Sequence, residues 1–220
     1  MQILRMQLET ASLEALALFY GEVLALPVKH AEHSIHISCG TTRLIFSAAT
    51  GGKAPFYHFA INIPHGSIEA AAAWMQDKAE LLYMEDYKNV IAEFVNWNAR
   101  SLYFLDPAGN IVELIARQAI GAVYVEPFSS AQFLGVSEAG IVVQKEAIES
   151  FTKNCLEQYG LDYFARQKPF PFFKAVGDDE GLLIIVAEGR HWYPTSIPSE
   201  LSPMHIVFNL DGEEYELRLH

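Results

Sequence analysis

The side chains best placed to do chemistry are polar ones set inside apolar, strand-like runs. Glu113 lies between Val112 and Leu114 in the run Ile111–Ala116. On a strand, alternation turns it away from both neighbours, so its carboxylate must face solvent, a partner or a cavity. His58 lies in the run Phe56–Ile63 and alternates with Phe59 and Ile61, so its imidazole can face away from them. Imidazole and carboxylate groups held on rigid strands can move protons or ligate a divalent metal. The plain alternatives are a hydrogen-bonded structural histidine and a solvated strand carboxylate.

Other chemistries find little support. The chain has no GxGxxG, no Walker-type Gly-Lys-Ser/Thr and no Gly-x-Ser-x-Gly elbow, which argues against a nucleotide cofactor and a serine nucleophile. Cys39 and Cys155 are far apart and form no CxxC. They suit a reduced, cytoplasmic protein with neither a disulfide framework nor a thiolate zinc site. His30, His33 and His36 recur every three residues, which puts successive histidines on opposite strand faces, so they do not read as one chelate. Lys+Arg number 15 against 27 Asp+Glu, a formal charge of −12 that argues against a nucleic-acid or anionic-membrane partner. No apolar run approaches the ~20 residues of a membrane span. Met1–Glu9 alternates apolar and polar residues and does not read as a signal peptide. At 220 residues and 51% hydrophobic, the chain has core material for one large domain or two small ones.

The elements that must position these residues follow a repeating order. Alternation over Leu4–Leu8 predicts a strand, and Ser12 offers an N-cap for a helix over Leu13–Leu24, closed by Pro27. Strands are expected at Ile35–Cys39 and Arg43–Ala48, and a further one near Val28–Glu32. The order then recurs: a strand over Phe56–Ile63, a helix from Ser67 to about Leu81, runs at Val90–Val95 and Ser101–Leu105, an Asp106-Pro107-Ala108-Gly109 turn, and a strand over Ile111–Ala116. A third unit holds a strand over Ala139–Gln144, a helix over Glu146–Tyr159, and strands near Tyr163–Arg166, Phe172–Val176 and Leu182–Ala187. Met204–Leu210 opens a last unit and matches Tyr57–Ile63, each carrying a His and, four residues on, an Asn. These repeats divide the chain into a two-module domain over 1–118, a linker over 119–133 and a truncated copy over 134–220.

Three segments resemble the vicinal oxygen chelate superfamily of glyoxalases, bleomycin-resistance proteins, fosfomycin-resistance thiol transferases and extradiol dioxygenases. They are Leu13–Tyr20 with its Phe-Tyr pair, Phe56–Ala60, and the closing hairpin Ser101–Glu113. The resemblance implies an α+β fold of repeated βαβββ modules. Each module curls a half-open sheet, and paired modules form a cup. It implies a glyoxalase- or dioxygenase-like enzyme of lyase, isomerase, dioxygenase or transferase type, acting on a small oxygen-bearing substrate. A divalent metal (Zn, Mn, Ni or Fe) would sit in the cup, and a homodimer is compatible with it.

Residue by residue, the resemblance implies His58 and Glu113 as metal ligands, with Glu113 also able to act as a base. Tyr103 resembles a cup-lining tyrosine of the thiol transferases, where a phenol donates to a substrate oxyanion. Trp97, Asn98 and Arg100 are candidates for the cavity wall. The departure is at the first strand, where Arg5 occupies the position of the first metal-binding His, and a guanidinium cannot ligate a metal. Gln7 and Glu9 share its face and could contribute an oxygen. Two readings stay open: a metal held by His58, Glu113 and Gln7 or water, and a metal-free small-molecule binder of the bleomycin-resistance type with Arg5 paired to Glu113. In the second half, Glu138 and His205 occupy corresponding positions, but no complete second site is expected. The stretch Glu188–Thr195 mixes polar and aromatic residues. Its Arg190 and His191 are ligand candidates, with aromatic anchoring of a long loop as the commoner explanation.

Overall fold

A computed structural model describes residues 1–51 and 54–219. Unit one comprises β1 (Gln2–Thr10), α1 (Leu13–Leu18), β2 (Val28–Ala31), β3 (Ser34–Cys39) and β4 (Thr42–Ala48). Unit two comprises β5 (His58–Ile63), α2 (Ile68–Met75), β6 (Ala92–Phe94), β7 (Ala99–Leu105) and β8 (Ile111–Arg117). Unit three comprises β9 (Gly135–Val143), α3 (Ile148–Tyr159), β10 (Phe173–Asp178) and β11 (Gly181–Ala187). Unit four is a hairpin of β12 (Met204–Leu210) and β13 (Glu213–Leu219).

The fold is α+β, with repeated modules curled into two sheets. The strands do not pair by halves of the sequence. A six-stranded sheet runs β13-β12-β1-β4-β3-β2, and a seven-stranded sheet runs β10-β11-β9-β5-β8-β7-β6. Unit one therefore shares its sheet with unit four, and unit two with unit three, across the 118/134 division. The first strand of each of the first two units pairs in parallel with the last strand of its own unit. That leaves its other edge open, and an open edge must be paired or covered. Antiparallel β12 closes the edge of β1, and antiparallel β9 closes that of β5. The main apolar core joins both sheets through Ile3, Phe46, Phe59, Leu114 and Phe208. A smaller cluster, including Tyr103, Phe164, Ile184 and Trp192, belongs to the seven-stranded sheet.

Local departures have local causes. The helix expected to Leu24 keeps α-geometry only to Leu18 and continues over Phe19–Val23 as a wider turn, with the Leu24 amide donating to the Phe19 carbonyl at 2.9 Å. The second helix stops at Met75 rather than Leu81, because the chain beyond runs along β7: Leu81 bridges Phe104, and the Leu82 amide donates to the Tyr103 carbonyl at 2.8 Å. Ser67 does not cap it; its hydroxyl donates to the Pro64 carbonyl at 2.7 Å. Tyr163–Arg166 contributes one bridge, Tyr163 to Val176, instead of a strand. Glu213–Leu219, for which no strand is predicted above, pairs with β12. No helix among the described residues is long and apolar enough to cross a membrane.

Candidate metal centre

The Asp106–Asn110 turn sets the geometry from which the centre is built. Asp106 Oδ1 accepts the amides of Ala108 at 2.9 Å and Asn110 at 3.0 Å, and its Oδ2 accepts the Tyr20 hydroxyl at 3.0 Å. Gly109 takes φ 83°, the left-handed region that glycine enters without strain. Asn110 Oδ1 then accepts the Tyr57 amide at 2.9 Å, tying the start of β8 to the start of β5. In register from there, Ala60 of β5 faces Glu113 of β8 on one side and Glu138 of β9 on the other. His58 stands two residues earlier on the same face as Ala60.

One ligand atom each from His58, Glu113 and Glu138 lies within 4.8 Å of the others, and all three residues are buried. His58 Nε2 is 3.7 Å from Glu113 Oε2. His58 Nδ1 is 3.1 Å from the Ile111 carbonyl, which can only accept, so Nδ1 carries the proton and Nε2 keeps its lone pair toward the carboxylates. Burial, helped by the Arg190 charge, pushes the imidazole down to about 4 against the opposing effect of that bond, so His58 is neutral at physiological pH. Burial and the Glu138 charge push Glu113 up to about 8. Burial also raises Glu138, against the pull of Arg117. A neutral imidazole and two crowded carboxylates form an N/O donor set that suits a divalent cation, whose charge would relieve the crowding.

Supporting residues surround the three. Arg117, fully buried at the end of β8, donates to Glu138 Oε1 and lies 3.6 Å from Asp179 Oδ1. Its guanidinium is 5.5 Å from the Trp97 ring centroid. Tyr103 stands opposite Glu113 on β7, its ring stacked on His58 at 6.5 Å. Burial and the Glu113 and Glu138 charges hold its phenol well above the ordinary value, so it remains a donor. Trp192 packs on His58 at 4.9 Å, in space that Gly140 leaves open: a Cβ there would meet the Trp192 ring at 2.8 Å. A cavity of about 270 Å³ opens over the three donors, walled by Phe94, Trp97, Phe173 and Tyr193.

The structure thus brings His58, Glu113, Tyr103, Trp97, Glu138 and Arg190 together and separates Arg5, Gln7 and Arg100 from them. Arg5 and Gln7 lie on β1 in the other sheet; Arg5 is 3.9 Å from Glu216, and Gln7 Nε2 donates to Ser47 Oγ at 3.4 Å. Neither shares a cup with Glu113, because the cup is formed by units two and three rather than one and two. Arg100 pairs with Glu69 of α2 at 2.6 Å, since alternation along β7 turns it away from Ser101 and Tyr103. Glu138 completes the donor set although no complete site was expected to include it. Arg117 is not among the candidates named from sequence, although its parity with Glu113 on an apolar strand is a readable signal. Tyr193 carried no such signal, since only the folded loop brings it to the cavity.

No family profile matches the sequence, and no curated protein does either. Solved structures do. A candidate dioxygenase from Bacillus subtilis superposes with a TM-score of 0.59 at 15% identity, covering 100% of this chain and 67% of its own. A glyoxalase I mutant from Zea mays superposes with a TM-score of 0.57 at 14% identity, covering 99% of this chain and 92% of its own. With β5 and β9 joined across a cup, the chain shares the fold of these glyoxalase- and dioxygenase-named structures.

Proposed function

We propose that the protein is a metal-dependent enzyme of the glyoxalase or dioxygenase kind, acting on a small oxygen-bearing substrate in the cup between β5, β8 and β9. The observation that carries this reading is the convergence of three buried donors, one of them an imidazole whose tautomer is set by the Ile111 carbonyl. His58, Glu113 and Glu138 would hold the ion. A divalent ion of the Zn, Mn, Ni or Fe kind would supply Lewis acidity to a substrate oxygen. Glu113, which lines the cavity, can take a proton from the substrate and return it. Tyr103, kept protonated, can donate a hydrogen bond to an oxygen that gains negative charge. Trp97 and Trp192 exclude water from around these groups. Arg117 holds one oxygen of Glu138 so that the other remains free. The solved chains of like fold are named for glyoxalase and dioxygenase chemistry, and those names supply the reaction classes to assay. The metal-free reading built on an Arg5–Glu113 pair loses its geometry, because Arg5 lies on the other sheet.

The test is the metal content of protein purified without chelators, measured again after soaking in Zn, Mn, Ni and Fe(II). Glu113→Gln and Glu138→Gln are treated the same way, with circular dichroism confirming their fold. One ion per chain in the wild type and none in folded variants supports the reading. No ion in the wild type before or after soaking overturns it.

A further inference from the structure

The loop that follows β11 brings a guanidinium and a phenol to the cavity. Arg190 lines it, with its guanidinium 5.0 Å from the Phe173 ring and Nη1 donating to the His191 carbonyl at 3.1 Å. No carboxylate among the described residues lies within salt-bridge distance of it. In a chain with a net charge of −12, Arg190 is thus a half-buried cation with no carboxylate partner among the described residues. Three residues on, Tyr193 also lines the cavity, and its hydroxyl is buried without a hydrogen-bond partner. Burial keeps this phenol protonated, with its pKa pushed up to about 12, so it is a donor lacking an acceptor. Such a group costs stability unless a ligand satisfies it. The remaining walls near the loop include the aromatic side chains of Trp97, Phe94 and Phe173.

We propose that Arg190 and Tyr193 form an anion subsite, and that the substrate is a small molecule with a flat apolar body and one carboxylate or phosphonate-like group held there. The proposal rests on the reading of this cup as the substrate site, but not on the metal. A guanidinium and a neutral phenol together match the oxygens of either anion. The cavity of about 270 Å³ admits a single ring with a short substituent and excludes a peptide-sized conjugate. The aromatic walls stack on the body while the loop holds the charge.

The probes are benzoate, phenylphosphonate and the uncharged isostere benzamide. Their binding is followed by quenching of tryptophan fluorescence, since Trp97 and Trp192 both line the cavity, and by ligand-observed NMR. Metal content is measured on the same samples. Benzoate, phenylphosphonate or both are expected to bind with Kd of about 1 mM or tighter, and benzamide about tenfold more weakly. Which anion binds tighter distinguishes a carboxylate from a phosphonate-type substrate. Arg190→Gln is expected to lose about tenfold for the anions, leave benzamide unchanged and keep its metal content. Arg190→Lys should recover part of the loss, and Tyr193→Phe should weaken the anions by a smaller factor. The proposal is overturned if benzamide binds as well as benzoate, if Arg190→Gln binds the anions like wild type, or if neither anion binds at about 10 mM. Anion binding that depends on Arg190 in protein without metal would sustain this inference while the metal reading failed. Metal bound without any anion preference would do the reverse.

Discussion

The two sheets repeat one register and differ in what it carries. In the seven-stranded sheet, Ala60 faces Glu113 and Glu138, with His58 two residues before it. In the six-stranded sheet, Gln7 faces Ile45 and His205, with Arg5 two residues before it. The backbone thus offers the same three positions twice, filled by His, Glu and Glu in one sheet and by Arg, Ile and His in the other. Cover differs as well. Unit three sends the loop beyond β11 over its cup, and Trp192 seals His58. Unit four turns from β12 into β13 through Asp211 and Gly212, and the counterpart face stays open, with the Arg5 side chain 38% exposed. Pairing geometry alone therefore does not bring metal-type donors together in this fold. Donor chemistry and a cover that removes water must coincide with it.

Four experiments would break or sharpen this comparison. The largest effect is expected from Arg117→Met, which leaves the Glu138 carboxylate buried without its cation and should cost about 3–5 kcal/mol in urea unfolding. Arg218→Met on the other sheet removes an exposed partner of Glu216 and should leave the unfolding midpoint unmoved. Equal losses in the two variants would erase the contrast.

Next comes Glu113→Ala, expected to weaken metal binding by at least ~100-fold in equilibrium dialysis, while Arg5→Ala leaves it unchanged. Loss of metal in Arg5→Ala would mean that the sheets do not act separately. A smaller gain is expected from joining Arg5→His with Ile45→Glu, which together with His205 would place two imidazoles and a carboxylate at the counterpart positions. A second ion should appear in titrations, bound at least ~10-fold more weakly for want of cover and supporting hydrogen bonds. Arg5→His alone should add no ion.

The smallest effect concerns the thiols, one associated with each sheet. Burial pushes Cys39 on β3 up to about 12 and Cys155 on α3 up to about 11. Raising a thiol pKa removes the reactive thiolate, so at pH 8 only about one in 1,000 of Cys155 and one in 10,000 of Cys39 would be ionised, rising tenfold per pH unit. Neither should react with a disulfide reagent within minutes in the native protein. In Arg117→Met, mass spectrometry should find Cys155 labelled before Cys39, because α3 packs on β10 and β11 of the destabilised sheet. Simultaneous labelling would show that the sheets open as one unit.

Much of the fold and two of the three donors were legible from residue order. The repeat of strand, helix and hairpin, the Asp106–Gly109 turn and Met204–Leu210 follow from periodicity and turn chemistry acting over a few residues. His58 and Glu113 were legible because a polar side chain in an apolar strand needs somewhere to point. Glu138 sits in a comparable setting, between Ser137 and Ala139, yet its role depends on β9 pairing with β5. The first strands of units one and two both offer an open edge, and local pattern does not say which later strand closes which. Assigning Arg5 to the cup of Glu113 followed from pairing units by proximity in sequence.

What the sequence by itself determined is the unit: its elements, its turns and the parity that turns His58, Glu113, Arg117 and Glu138 toward one face each. Those are local consequences of side-chain alternation and backbone preference. Only the tertiary structure decided that units two and three close one cup, that Glu138 joins His58 and Glu113, and that Arg190 and Tyr193 reach it from a loop. Edge pairing and shared burial between distant strands select among arrangements that local pattern leaves equally available.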